Sequence, residues 1–516
     1  MLLGITIVHR NDSSESIEGD FTQYINDSVE FIDRNVCEIA ESNEVPLIIP
    51  PNIGNGNSYY ISPNGNDSNP GTIDEPWKTF SYALKSNQNN GNSPLGPGDT
   101  LYVREGEYTQ GVLIFNDESQ QGENGNYLTI TNYPGETPIL RNTGFRFRDR
   151  DYIRILGLRF EDLPTYGIIF QSRSRPVEGF QVLNNHFEND GSMHGEKNVG
   201  MTFISVSTRG ESGNPPDVFL ETKDVLIAGN TIIDNNDNAV NGSGEAIQPS
   251  GNSDYVRIIN NKIYGVDNIG IGFAGRTWKN ISCENGQCQP DNGLVKGNII
   301  YDFGSPGETS SSIYLDGVGS NFIIEDNISY DGLSGPSISN EGITYPLETD
   351  QIIFRNNIMY GLSIYSHKLG SGNNDCESSD LGGPVNDVVS VHNTFILDGE
   401  TNINVRIACI TNVALRNNIL TRYNSNENRQ YQNQASNTNT TSWDSNYNIF
   451  YSASGENQFV WKGNNLGSFE EYQSTTGFDS SSSQDNPLFK DRLDSDFSLM
   501  INSPALDAGG PLTFTV

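Results

Sequence analysis

The chain has 516 residues, of which 34% are hydrophobic and 53 are glycine, a composition that suits a turn-rich fold of many short strands better than a large helical protein. Its 65 acidic residues outnumber 30 basic ones, for a formal charge of -35, and this excludes nucleic acid as the main partner because phosphate binding needs a Lys/Arg footprint. No apolar run approaches the roughly 20 residues that span a bilayer, so an integral membrane protein is not expected.

Residues 1–56 are acidic, lack clear periodicity and end in the Pro-rich Val45-Pro46-Leu47-Ile48-Ile49-Pro50-Pro51, which reads as an N-terminal extension or capping segment. Met1 to Val8 is apolar but has no basic region before it and no small-residue cleavage site, so it is not read as a signal peptide. Residues 57–516 read as one catalytic domain. Regularly spaced Ile, Val, Phe and Tyr clusters give it enough apolar surface to offset the entropy cost of ordering.

From about residue 127 onward one phrase recurs: an aliphatic pair, one or two polar residues, Asn, then another aliphatic residue. It places Asn185, Asn230, Asn261, Asn298, Asn327, Asn357, Asn393 and Asn418 in equivalent spots, 25 to 45 residues apart. Periods of this size mark solenoids. The phrase Val256-Arg257-Ile258-Ile259-Asn260-Asn261-Lys262-Ile263-Tyr264 alternates apolar and polar residues and is rich in β-branched side chains, so the unit is built on strands. A strand, a turn at Asn, a second strand and a Gly-rich third strand make one coil of an all-β fold, a right-handed parallel β-helix, with the Asn side chains stacked in a hydrogen-bonded ladder.

After each Asn phrase a Gly- or Ser-led segment returns, and aligning these segments by their apolar second residue yields one sheet. Since side chains alternate across a strand, the third and fifth residues then face outward. The third column reads Ile169, Thr202, Gln248, Gly272, Tyr314, Ser339, Tyr365 and Arg406, and the fifth reads Gln171, Ile204, Ser250, Ala274, Asp316, Glu341 and His367. Strands about 4.8 Å apart would stack Asp316, Glu341 and His367, with the two carboxyl groups roughly 5 Å apart. Such a pair splits its pKa values, one group ionised and the other protonated, which is the division that glycosidic cleavage requires. His367 would orient a carboxylate or carry a proton, and Tyr314 and Tyr365 would stack on sugar rings. Gln248 lies in the same outward column, and Glu245, at the head of its segment, is a reserve carboxylate. Arg276, Trp278, Lys279, Lys368 and Arg406 form a basic rim suited to sulfate or carboxylate groups.

Five cysteines occur, and the run from Cys283 to Cys288 would close a loop disulfide in an oxidising compartment, whereas C-x4-C without a nearby histidine is a poor zinc site. Asp234, Asp237 and Asp267 read as turn formers. No cofactor is expected, with a structural calcium left open.

Tyr60-Ile61-Ser62-Pro63-Asn64-Gly65-Asn66-Asp67-Ser68-Asn69-Pro70-Gly71-Thr72, then Pro76-Trp77-Lys78-Thr79 and Gly98-Asp99-Thr100-Leu101-Tyr102-Val103, resembles the entry segment of pectate-lyase-like β-helix proteins. Asn486-Pro487-Leu488-Phe489, Asp496-Phe497-Ser498-Leu499 and Ser503-Pro504-Ala505-Leu506-Asp507-Ala508-Gly509 resemble the closing coil of the same superfamily. The resemblance covers roughly residues 58 to 511 and implies the fold. It leaves the reaction open, since the superfamily includes lyases, glycoside hydrolases, epimerases and binding proteins. Its lyases often use calcium held by clustered aspartates with a Lys or Arg base, and the outward columns show no Asp-Asp pair.

The leading expectation is a monomeric, secreted, cell-surface or periplasmic bacterial glycoside hydrolase that cleaves within a long anionic polysaccharide, such as a sulfated fucan, with Asp316 and Glu341 as the carboxylate pair and His367 assisting. A lyase using Lys279, Lys368, Arg276 or Arg406 as base is the first alternative. A non-catalytic carbohydrate-binding solenoid is the second.

Overall fold

The computed structural model describes residues 54–86, 93–116, 119–189, 202–208, 220–234, 244–275, 288–305, 310–340, 349–370, 385–397, 403–423, 429–433, 442–455 and 458–510. The chain winds as a right-handed parallel β-helix whose coils each contribute one strand to each of three long sheets of 13, 13 and 12 strands. The first sheet opens with Ser58–Ile61 paired in parallel to Thr100–Val103. The second carries the Gly- and Ser-led segments, and the third runs from Glu107–Tyr108 to Ile449–Ser452. Inward side chains form one continuous apolar core from Ile61 to Tyr472. Each fully buried Ile, Leu, Val or Phe in it contributes about 1.5–3 kcal/mol.

The corner between the first and third sheets is where the repeated Asn acts. The backbone N–H of Asn185 donates to Oδ1 of Asn230, and the same bond passes from Asn230 to Asn261 and on through Asn298, Asn327, Asn357, Asn393 and Asn418. Each Nδ2 donates to a carbonyl of a first-sheet strand, as Asn327 does to Val295 at 2.9 Å. The ladder runs one step further than the sequence spacing indicated, from Asn418 to Asn448. It ends where Asn448 donates to Asp479 and to the Ser482 hydroxyl. The residue before each ladder Asn turns the corner with φ between 52° and 68°, and Gly229 and Gly297 take this left-handed conformation without the steric cost a Cβ would add.

Both ends are closed. Trp77 and the short helix Phe80–Ala83 cover the first coil. At the other end the helix Phe469–Thr476 lays Tyr472 on Phe459 with ring centroids 4.4 Å apart. Residues 486–509, expected as a closing coil, instead include an antiparallel hairpin, Phe489–Asp491 with Asp496–Leu499. Its Phe489 and Phe497 pack on Ile358, Tyr360, Ile396 and Ile419 of the third sheet. An outer stack of Tyr264, Tyr301, Tyr330 and Tyr360, with centroids 4.7–4.8 Å apart, meets Phe497 at its end. The proposed extension falls almost wholly on residues 1–53, outside the described residues. Cys288 and Cys409 are each disulfide-bonded, while Cys283 lies outside the described residues.

Candidate active site

The outward face of the second sheet is set by its pairing. One register level joins Arg146, Ile169, Ser205 and Gln248. It continues to Gly272 and Tyr314, then Ser337, Lys368 and Arg406. Two residues further along each strand, Arg148, Gln171, Ser207, Ser250, Ala274, Asp316 and Ser339 make a second outward column. Gln248, Gly272, Tyr314, Asp316 and Arg406 therefore stand as the sequence indicated.

The expected stack of Asp316, Glu341 and His367 is not formed. Ser339, not Glu341, is level with Asp316, and Glu341 falls outside the described residues with Arg276, Trp278 and Lys279. On the strand Tyr365–Leu369 the alignment by Ile364 is three residues out, because Lys368, not Tyr365, is level with Tyr314 through Ser337, so Tyr365 does not stand in the outward column. An odd shift reverses the faces. His367 consequently points into the core with no exposure, stacked on Phe395 and edge-on to Phe354. Its Nδ1–H donates to the carbonyl of Pro336 at 2.7 Å, and burial pulls its pKa down to about 4. A neutral imidazole sealed among phenyl rings cannot serve a groove. Lys368 takes the outward place instead, level with Arg406. The same odd shift occurs at the segment expected from Gly200, where Ile204 is inward and Ser205 occupies the column assigned to Thr202.

Two carboxylates do share this face. Glu245 begins its strand and accepts a short hydrogen bond from Nε2 of Gln248. Its Cγ occupies the space a side chain on Gly272 would need, 2.7 Å from where that Cβ would be. The reserve carboxylate thus lies over Gly272, on the strand next to Asp316. One strand spacing and two residues separate Gly272 from Asp316, which puts their Cα atoms roughly 8 Å apart. Tyr314 stands level with Gly272 and is half-buried. Beyond it Arg406, 3% exposed, holds its guanidinium 5.7 Å from the ring centre of Tyr365. Carboxylates, a phenol and two cations therefore lie on six consecutive strands, with Glu245 on the first and Arg406 on the last. Among the described residues no cluster of three or more His, Cys, Asp or Glu side chains is grouped to hold a metal ion.

The sheet also begins earlier than the sequence alignment, with Gly111–Phe115 and Thr143–Arg148. Arg146 and Arg148 alternate with the core residues Phe145 and Phe147, a period-two pattern that would have placed them outward had the stack been extended back past Gly167.

No family model matches the chain. It is 25% identical over 483 residues, 88% of its length and 92% of the relative's, to the uncharacterized protein YwoF of Bacillus subtilis. Among solved structures it is similar to a GH136 lacto-N-biosidase from Eubacterium ramulus (11% identity, TM-score 0.42), with 72% of this chain and 65% of that one covered. It is also similar to a mannuronic acid specific polysaccharide family 6 lyase from human gut microbiota (14% identity, TM-score 0.44), with 84% and 92% covered. Pectate lyase Pel9A gives 16% identity and a TM-score of 0.33, covering 77% and 80%. No helix is long and apolar enough to cross a membrane among the described residues.

Proposed function

We propose that the protein is a glycoside hydrolase that cleaves an anionic polysaccharide lying along the second sheet, with Asp316 and Glu245 as its carboxylate pair. The observation that carries this reading is the placement of Glu245 over Gly272, on the strand beside Asp316. Neither carboxylate is a core residue, and both share a face with Tyr314 and with cations able to hold acidic substituents. One carboxylic acid would protonate the glycosidic oxygen while the other carboxylate activates water. The separation of the two carboxyl groups would set the stereochemistry, about 5 Å giving retention and about 6.5–9.5 Å, with room for that water, giving inversion at the anomeric carbon. Lys368 and Arg406 would bind sulfate or carboxylate groups, Arg in the bidentate manner open to it.

A second reading is favoured by the adjacent places of Lys368 and Arg406 in one column with Tyr314. Arg406 would neutralise a uronate carboxylate, Lys368 would take the proton beside it, and Tyr314 would protonate the departing oxygen. The two chemistries leave different products: elimination creates an unsaturated sugar absorbing in the ultraviolet, and hydrolysis does not. Pectic, alginate, carrageenan and fucan substrates should be incubated with the protein and the products analysed by mass and absorbance. We expect water-added products, and a loss of about 10²- to 10⁴-fold in kcat for Asp316→Asn and for Glu245→Gln. Unsaturated products, with activity surviving in Asp316→Asn, would replace hydrolysis by elimination. Full turnover in both variants would remove the carboxylate pair.

A further inference from the structure

Several described arginines of this acidic chain are neutralised in place, among them Arg104 by Glu136, Arg175 by Asp151, Arg257 by Asp224, Arg355 by Glu325 and Arg416 by Asp444. Arg146 and Arg148 differ. Among the described residues neither forms an ion pair, although acidic residues outnumber basic ones by 65 to 30. Arg146 lies over the ring of Tyr166, its guanidinium carbon 4.7 Å from the centroid, and its buried Nε has no hydrogen-bond partner. Arg148 donates from Nε to Oε1 of Gln171 at 3.1 Å, and Gln171 donates in turn to Ser207. That chain fixes the guanidinium while using one of its nitrogens. The nearest carboxylate in sequence, Asp149, is taken up by the backbone N–H groups of Arg173 and Ser174 and by the Ser174 hydroxyl. Burial together with the like charges of Arg146 and Arg173 lowers the pKa of Arg148. Two unneutralised cations held by a stacked tyrosine and a glutamine are a site waiting for an anion.

Their place on the fold says which anion. Arg146 shares its column with Lys368 and Arg406, and Arg148 shares its column with Asp316. Between the two cationic ends the outward positions are uncharged apart from Asp316, and several of them, such as Ser205, Ser207, Ser250, Gly272 and Ala274, carry small side chains, with Glu245 lying over Gly272. Seven strand steps separate Arg146 from Lys368, roughly 34 Å at about 4.8 Å per step. A small anion fills one end only, whereas an extended polyanion parallel to the solenoid axis reaches both.

We propose that Arg146 and Arg148 form a distal subsite that binds carboxylate or sulfate groups of a polysaccharide chain whose other end reaches Lys368 and Arg406. The proposal rests on the reading that this face binds polysaccharide, but not on which bond is cleaved there. Affinity electrophoresis of the full chain through gels containing polygalacturonate, alginate, carrageenan, fucan or neutral dextran tests it. The wild type is expected to be retarded by at least one polyanion, less so as salt rises, and not by dextran. Arg146→Gln/Arg148→Gln should weaken that retardation about tenfold or more, since each lost charge-assisted contact is worth about that factor. Arg146→Lys/Arg148→Lys should keep part of it, which separates lost charge from lost fold. Lys78→Gln/Lys490→Gln, with the same change in net charge at exposed sites, should retain all of it. Equal retardation of wild type and Arg146→Gln/Arg148→Gln, or retardation by none of the four polyanions, overturns the subsite. So does a loss of thermal stability in the double Gln variant with polymer binding intact, which would mean that the arginines serve an acidic segment of the chain itself. If retardation depends on the arginines yet no polymer is cleaved, the subsite stands and the hydrolytic reading fails.

Discussion

His367 shows how a single side chain can mislead when only its polarity is read. Its Nδ1–H is satisfied by the Pro336 carbonyl and its ring by Phe354 and Phe395, so the neutral tautomer is an acceptable core residue while the imidazolium is not. The unfolded chain takes up this proton as pH falls through about 6.5, whereas the folded chain resists until about 4. The unfolded state therefore binds more protons between those values, and stability is complete above about 6.5 and lost progressively toward 4. The shift corresponds to about 3 kcal/mol. His367→Leu should lower the melting temperature at pH 7, because the Pro336 carbonyl loses its donor. It should also show a smaller further decrease between pH 7 and 4.5 than the wild type, as read by thermal unfolding across that range. An equal decrease in both proteins would show that His367 titrates normally.

Among the elements, the Asn corner is where sequence period and hydrogen bonding coincide most closely. Asn327 accepts from both the N–H and Nδ2 of Asn298, donates its own to Asn357, and satisfies the carbonyl of Val295. Asn327→Ala leaves Asn298 and Val295 with buried groups lacking partners, each costing about 1–3 kcal/mol, so a loss of at least about 3 kcal/mol is expected. Asn464→Ala, at an exposed position, should change stability by no more than about 0.5 kcal/mol. Urea unfolding of the two variants beside the wild type measures both. The tyrosine stack on the third sheet follows from the same repeat. Tyr264, Tyr301, Tyr330 and Tyr360 sit at one register level on successive coils, and ring stacking then follows from the 4.8 Å strand spacing.

Over the whole molecule, a solenoid is stable only if its ends are covered, because each coil buries its core against its neighbours. Here Phe469 and Tyr472 close the lower end over Phe450 and Phe459. Phe469→Ser/Tyr472→Ser should uncover that end, lower the melting temperature and produce soluble aggregates on size-exclusion chromatography, since bared strands offer edges for pairing. A monodisperse variant with unchanged melting temperature would show that the helix is not a cap.

The sequence by itself determined the coil, the Asn ladder and the outward places of Gln248, Tyr314, Asp316 and Arg406, because a strand alternates with period two and a coil repeats its hydrogen bonds. It did not determine the alignment of one coil on the next wherever the connecting turn lacked a fixed length. Ile364 and Leu369 are equally apolar in sequence, and only Leu369 has Ile338 and Ile407 beside it. That tertiary choice moved His367 into the core and brought Lys368 out to Arg406, and a separate one, Ile338 pairing with Leu315, put Ser339 rather than Glu341 level with Asp316. It likewise put Glu245 over Gly272, a contact between neighbouring coils. Register between coils is a sum of long-range packing contacts, and no local pattern carries it.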